Sequence, residues 1–135
     1  MKIKNINNLN TEAMAYMGDA VYEQAVREML LKQGYAKVDH LHHHAVKYVN
    51  ADAQAKAIKS IFDELTEEEQ ALVKRARNHK FHSKAKNADP ITYKWATAFE
   101  AIIGYYYLAD ENERLAWFID KAFALIGDQS NGESL

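Results

Sequence analysis

The 135-residue chain has a formal net charge of −2 and no cysteine. That excludes a surface basic throughout, a disulfide framework, and thiolate or Cys-based zinc chemistry. At 48% hydrophobic and 27% charged residues it has the balance of one globular domain with a real core. The start, MKIKNINNLN, has no apolar stretch of the secretory kind, and the longest uncharged apolar run, near Ala101–Ala109, is too short to span a bilayer. No membrane partner is expected, and a reducing, cytoplasmic setting is.

One proline and five glycines leave almost everything between caps free to be helical. Asn10 or Thr11 can cap a first helix to about Lys32, ended by Gly34. Asp39 can cap a second through Val49, with Leu41, Ala45, Val46 and Val49 at helical spacing. Asn50 or Asp52 starts a third, with Ala53, Ala57, Ile58, Ile61 and Phe62 on one side. Thr66 and Glu69 form a capping-box pattern that opens a short fourth helix to about Asn78. Residues 78–89 read as a loop, and Pro90 suits the first turn of a long helix to about Leu108. A last helix from about Asn112 to Ile126 leaves 127–135 as a polar, frayed tail. No strand pattern of useful length occurs. The expected fold is all-α, about six helices in a single domain, residues 1–126.

Two acids stand alone in apolar helical stretches. Asp19 is the only charge in Ala13–Val21, and Glu100 the only one in Trp95–Leu108. A carboxylate taken out of water needs a cation or strong hydrogen bonds, or its pKa rises until it is neutral. Small residues flank both: Ala15 and Gly18 beside Asp19, Ala96 and Gly104 beside Glu100. Gly18 inside a helix costs roughly 1 kcal/mol relative to Ala, which points to close approach of another backbone. If the two helices pack together, both acids can face one Mg²⁺, which keeps several waters and needs few protein oxygens. The plainer alternative is that each acid is satisfied by its own Lys, Arg or Tyr hydroxyl.

Charge is also unevenly spread. Five acids and no base lie between Asp63 and Glu69, then six bases and no acid between Lys74 and Lys86. Lys74, Arg75 and Arg77 close a helix, where cations complement the dipole. Lys80, Lys84 and Lys86 have no such role, so a polyanion contacted at this one place is expected. The run Asp39–His44 (DHLHHH) suggests a transition-metal site, but Leu41, Ala45 and Val46 make it an amphipathic helix with histidines on the wetter side.

Met14–Glu23 (MAYMGDAVYE) resembles the signature of the ribonuclease III family, and Thr97–Leu108 (TAFEAIIGYYYL) resembles that family's second acidic helix. Lys74–Asn78 (KRARN), Lys86–Ala88 (KNA) and Thr92–Lys94 (TYK) are similar to its compact branch, Mini-ribonuclease III, which lacks a double-stranded-RNA-binding domain. The resemblance covers nearly all of residues 9–126. It implies a Mg²⁺-dependent endoribonuclease that cuts double-stranded RNA through metal-activated water, acting as a homodimer and maturing ribosomal RNA precursor ends. Asp19 and Glu100 match two carboxylate positions, as metal ligands and catalytic residues. Two further acidic positions are Ala15 and Thr97 here, and Glu12 coincides with another. Arg75, Arg77, Asn78, Lys80, Lys84, Lys86 and Lys94 are the expected RNA contacts. Competing readings are a non-catalytic helical RNA-binding or ribosome-assembly protein, favoured if Ala15 and Thr97 abolish chemistry, and a metal-sensing regulator built on the histidines.

Overall fold

Helix starts follow local capping chemistry. In the computed structural model, which describes residues 9–79 and 89–133 and the side chains of the final helix as far as Gly127, α1 spans Thr11–Lys32. The Asn10 side chain accepts from the Ala13 amide at 2.7 Å, satisfying a donor that the first turn leaves over. Gly34, at φ 101°, turns the chain away in the left-handed conformation. Asn50 caps α3 (Ala51–Ile61) by accepting from Ala53 at 2.8 Å, and Asp89 caps α5 (Pro90–Leu108) by accepting from Thr92 at 3.1 Å. α4 (Glu67–Asn78) opens on a reciprocal box: the Glu69 amide donates to the Thr66 hydroxyl at 3.1 Å, and the Thr66 amide to the Glu69 carboxylate at 2.8 Å.

Three details depart from expectation. α2 (Val38–Val49) is capped at Lys37, without a side-chain hydrogen bond, and Asp39 sits instead in the first turn, where its charge favours the dipole. A single 3₁₀ turn, Phe62–Glu64, joins α3 to α4. α6 (Asn112–Glu133) continues beyond Ile126 through Gly127. Among the described residues all regular structure is helical, and the fold is all-α.

α5 lies at the centre, with α1, α3 and α4 packed on it, and α1–α5 is the most extensive helix pair. Phe99, Ile102 and Tyr106 form the expected buried stripe, whereas Trp95, one turn earlier, is only half-buried at the rim. Full burial of Phe99, Ile102 and Ile103 contributes roughly 1.5–3 kcal/mol per side chain. Tyr22 of α1 meets Phe99 edge to face at 4.9 Å, and its hydroxyl donates to the Tyr48 carbonyl at 2.9 Å, tying α1, α2 and α5 together. On the other side Glu69 takes two bonds from Arg114, at 2.6 and 3.0 Å, joining α4 to α6. The buried Tyr106 hydroxyl lies beside this pair without a well-formed hydrogen bond.

Candidate active site

Both acids lie at the α1–α5 crossing. A Cβ added at Gly18 would overlap the Glu100 carbonyl oxygen, and one added at Gly104 would overlap that of Met14. Only hydrogen fits between the two backbones, so the helices approach as closely as the flanking glycines suggested. Asp19 follows Gly18, and Glu100 sits one turn before Gly104. Their carboxyl groups come within hydrogen-bonding reach of one another.

The two acids are not equally shielded. Glu100 is half-buried, but Asp19 is exposed, contrary to the expectation that both leave water. The apolar neighbours of Asp19 explain this. Met14, Ala15 and Gly18 turn inward, while Tyr16, Asp19, Ala20 and Glu23 form the outer face of the same helix. Burial pushes the Glu100 carboxyl up, the charge and hydrogen bond of Asp19 push it further, and the charge of Glu23 adds to both, bringing it to about 8. Near neutral pH Glu100 therefore keeps its proton when no cation is bound. Among the described residues neither Asp19 nor Glu100 is paired with a Lys or Arg or held by a Tyr hydroxyl, so the plainer alternative finds no support. Glu23 is 4.0 Å from Arg27, a loose exposed pair.

The donor set suits a hard cation: carboxylate oxygens, in mutual repulsion that a positive ion would relieve. Among the described residues no group of three or more His, Asp or Glu could hold a metal, so most of its shell would come from water and phosphate. The neutral positions show why the acid set is small. Ala15 is buried, and the Thr97 hydroxyl donates to the Tyr93 carbonyl of its own helix at 2.9 Å. Glu12 is engaged elsewhere, 3.1 Å from His79. Glu23 stands one turn along α1 from Asp19, and that i, i+4 relation is its local signal in the sequence.

The Glu12–His79 contact also locates the basic segment. It seats the end of α4 against α1 two turns before Asp19, about 10 Å along that helix. Arg75 is exposed, and Arg77 Nε donates to the Asn78 side chain at 3.1 Å. Lys94 is exposed near the start of α5. Lys80, Lys84 and Lys86 lie outside the described residues. The histidine run on α2 gathers no metal-holding group among the described residues; His44 stacks on Tyr35 at 4.1 Å instead. No helix among the described residues is long and apolar enough to cross a membrane.

The chain is thus an all-α domain with two acids at a glycine-lined crossing, and residues 12–111 match the family model described as Ribonuclease III domain. The chain is 47% identical over 122 residues to Mini-ribonuclease 3 of Symbiobacterium thermophilum, covering 90% of this chain and 94% of the relative. It is 46% identical over 124 residues to Mini-ribonuclease 3 of Brevibacillus brevis, covering 92% of each. A crystal structure of a protein from Fusobacterium nucleatum has a similar fold, with TM-score 0.79 at 32% identity over 93% of this chain and 99% of that one. The chain belongs to the ribonuclease III family, in its Mini-ribonuclease 3 branch, and is an endoribonuclease.

Proposed function

We propose that the chain is a Mg²⁺-dependent endoribonuclease that cuts double-stranded RNA as a homodimer, with ribosomal RNA precursor ends as its substrate. One feature carries the catalytic part: two carboxyl groups from different helices meet at the glycine crossing, where burial and then the neighbouring Asp19 push the Glu100 carboxyl up to about 8. Asp19 and Glu100 would hold the metal. When bound, Mg²⁺ supplies acidified water and neutralises charge that develops on the phosphate during in-line displacement. The chain contributes position: the glycine crossing fixes the spacing of the two acids, and Glu23 adds negative potential beside them. No side chain is proposed as a covalent nucleophile or a free general base.

Arg75, Arg77, Asn78 and Lys94, with Lys80, Lys84 and Lys86 of the basic segment, are proposed to contact phosphates. Shape rather than base edges should govern this contact, because side chains cannot read the deep, narrow major groove of A-form RNA. The homodimer is carried by the family resemblance, and Tyr16, 82% exposed one turn before Asp19, lies on the same outer face of α1. The non-catalytic RNA-binding alternative is favoured by neutral Ala15 and Thr97. One experiment separates the two. Long double-stranded RNA is incubated with the protein and with Asp19→Asn, with and without Mg²⁺. Discrete Mg²⁺-dependent cuts lost in the variant support the nuclease; a gel shift without cuts supports the alternative.

A further inference from the structure

Lys59 of α3 and Lys74 and Arg77 of α4 converge on two aromatic rings. Lys59 Nζ lies 5.6 Å and the Arg77 guanidinium carbon 4.9 Å from the centre of the Trp95 ring. Lys74 Nζ lies 5.8 Å from that of Phe62, and the two rings meet edge to face at 6.4 Å. One aromatic strip thus carries three cations. Among the described residues none of the three is paired with a carboxylate. Like charges gathered at one place repel, and an anion bound there would relieve them. Trp95 belongs by spacing to the core stripe, yet it stays half-buried at the rim, where the face of its ring attracts cations.

We infer that Trp95 and Phe62 form a platform presenting Lys59, Lys74 and Arg77 as a ready-made phosphate-binding ridge, which extends the RNA face from α4 onto α3. Lys59 and Lys74 are RNA contacts, and Trp95 is a positioning residue that acts through Lys59 and Arg77. The inference rests on the reading that the chain binds double-stranded RNA. Side chains already held on a ring lose less freedom on binding, and a planar guanidinium offers paired donors to a phosphate. Base stacking on Trp95 is the poorer use of the ring, since two cations already lie over it.

The test is equilibrium binding of a long RNA duplex to the full chain without Mg²⁺, over a range of salt. Lys59→Gln and Lys74→Gln should each weaken binding about threefold and lower the slope of log K against log salt by roughly 0.9, equally for unrelated duplex sequences. Trp95→Leu should weaken binding similarly, Trp95→Phe should recover most of it, and Arg77→Gln should add little in the Trp95→Leu background. Unchanged affinity and slope for Lys59→Gln and Lys74→Gln overturn the ridge. Independent, multiplying effects of Trp95→Leu and Arg77→Gln overturn the positioning role. A loss confined to single-stranded RNA would mean base stacking and overturns it too. If Trp95→Leu fails to fold, the two exposed lysines still decide. A wild-type chain that binds no duplex overturns the double-stranded-RNA reading itself, which separates the two failures.

Discussion

Replacing Glu100 by Gln removes the ionisable group while keeping its size and its ability to hydrogen-bond Asp19. In the folded chain burial, then Asp19, then Glu23, lift this carboxyl from the usual 4.5 to about 8. Between those values the folded protein keeps a proton that the unfolded chain has lost. Stability is therefore full below 4.5, falls as pH rises through the window, and levels off above 8. Each pH unit inside the window is worth about 1.4 kcal/mol, so Glu100 costs the metal-free protein at most about 3–4 kcal/mol at pH 7 and less than about 1 kcal/mol at pH 5. Its partial exposure brings the real figures below these limits. Urea unfolding in EDTA measures this directly. Glu100→Gln should be more stable than wild type by a margin that widens between pH 5 and pH 8, and Mg²⁺ should stabilise the wild type far more than the variant. A margin that does not change with pH, or a variant less stable than wild type at pH 8, would refute the reasoning.

The crossing and the second polar tie make further predictions. Gly104→Ala drives a methyl group into the Met14 carbonyl, which cannot yield without moving a helix. A loss of about 3 kcal/mol or more is expected, seen as a large fall in Tm; an unchanged Tm would mean that the helices separate freely. Glu69 is raised by burial but held below the usual carboxylate range, chiefly by its hydrogen bonds from Arg114 and the Thr66 amide. Glu69→Gln should cost roughly 2 kcal/mol at pH 7, less than a fully buried pair because Arg114 is partly exposed. A group with a depressed pKa stabilises above the ordinary carboxylate range and loses that contribution as pH falls through it. The gap between wild type and Glu69→Gln should therefore close in acid, and a gap that persists there would assign the loss to packing instead.

What could be read from the chain divides by the range of the interaction. Asn10, Asn50, Thr66 and Asp89 mark helix starts because a cap bonds to a backbone only a few residues on. The start of α2 is hidden in the sequence because Lys37 makes no such bond, which leaves Asp39 as the more attractive signal. The glycine crossing was legible because Gly18 and Gly104 are both costly where they stand unless something comes close. The exposure of Asp19 was not, because a run of apolar neighbours along the chain says nothing about which of them turn inward. The bond from Arg114 to Glu69 and the gathering of Lys59 and Arg77 on Trp95 join residues far apart in sequence. No local pattern announces such pairs.

The metal-binding claim itself is best tested by diffusing Mn²⁺ into crystals of the chain and locating it from its anomalous scattering. One peak shared by the carboxylates of Asp19 and Glu100, and lost in Asp19→Asn, is the predicted result. A map with no peak at the crossing under conditions where the enzyme cuts RNA, or with either carboxylate bound to a lysine or arginine instead, would contradict it.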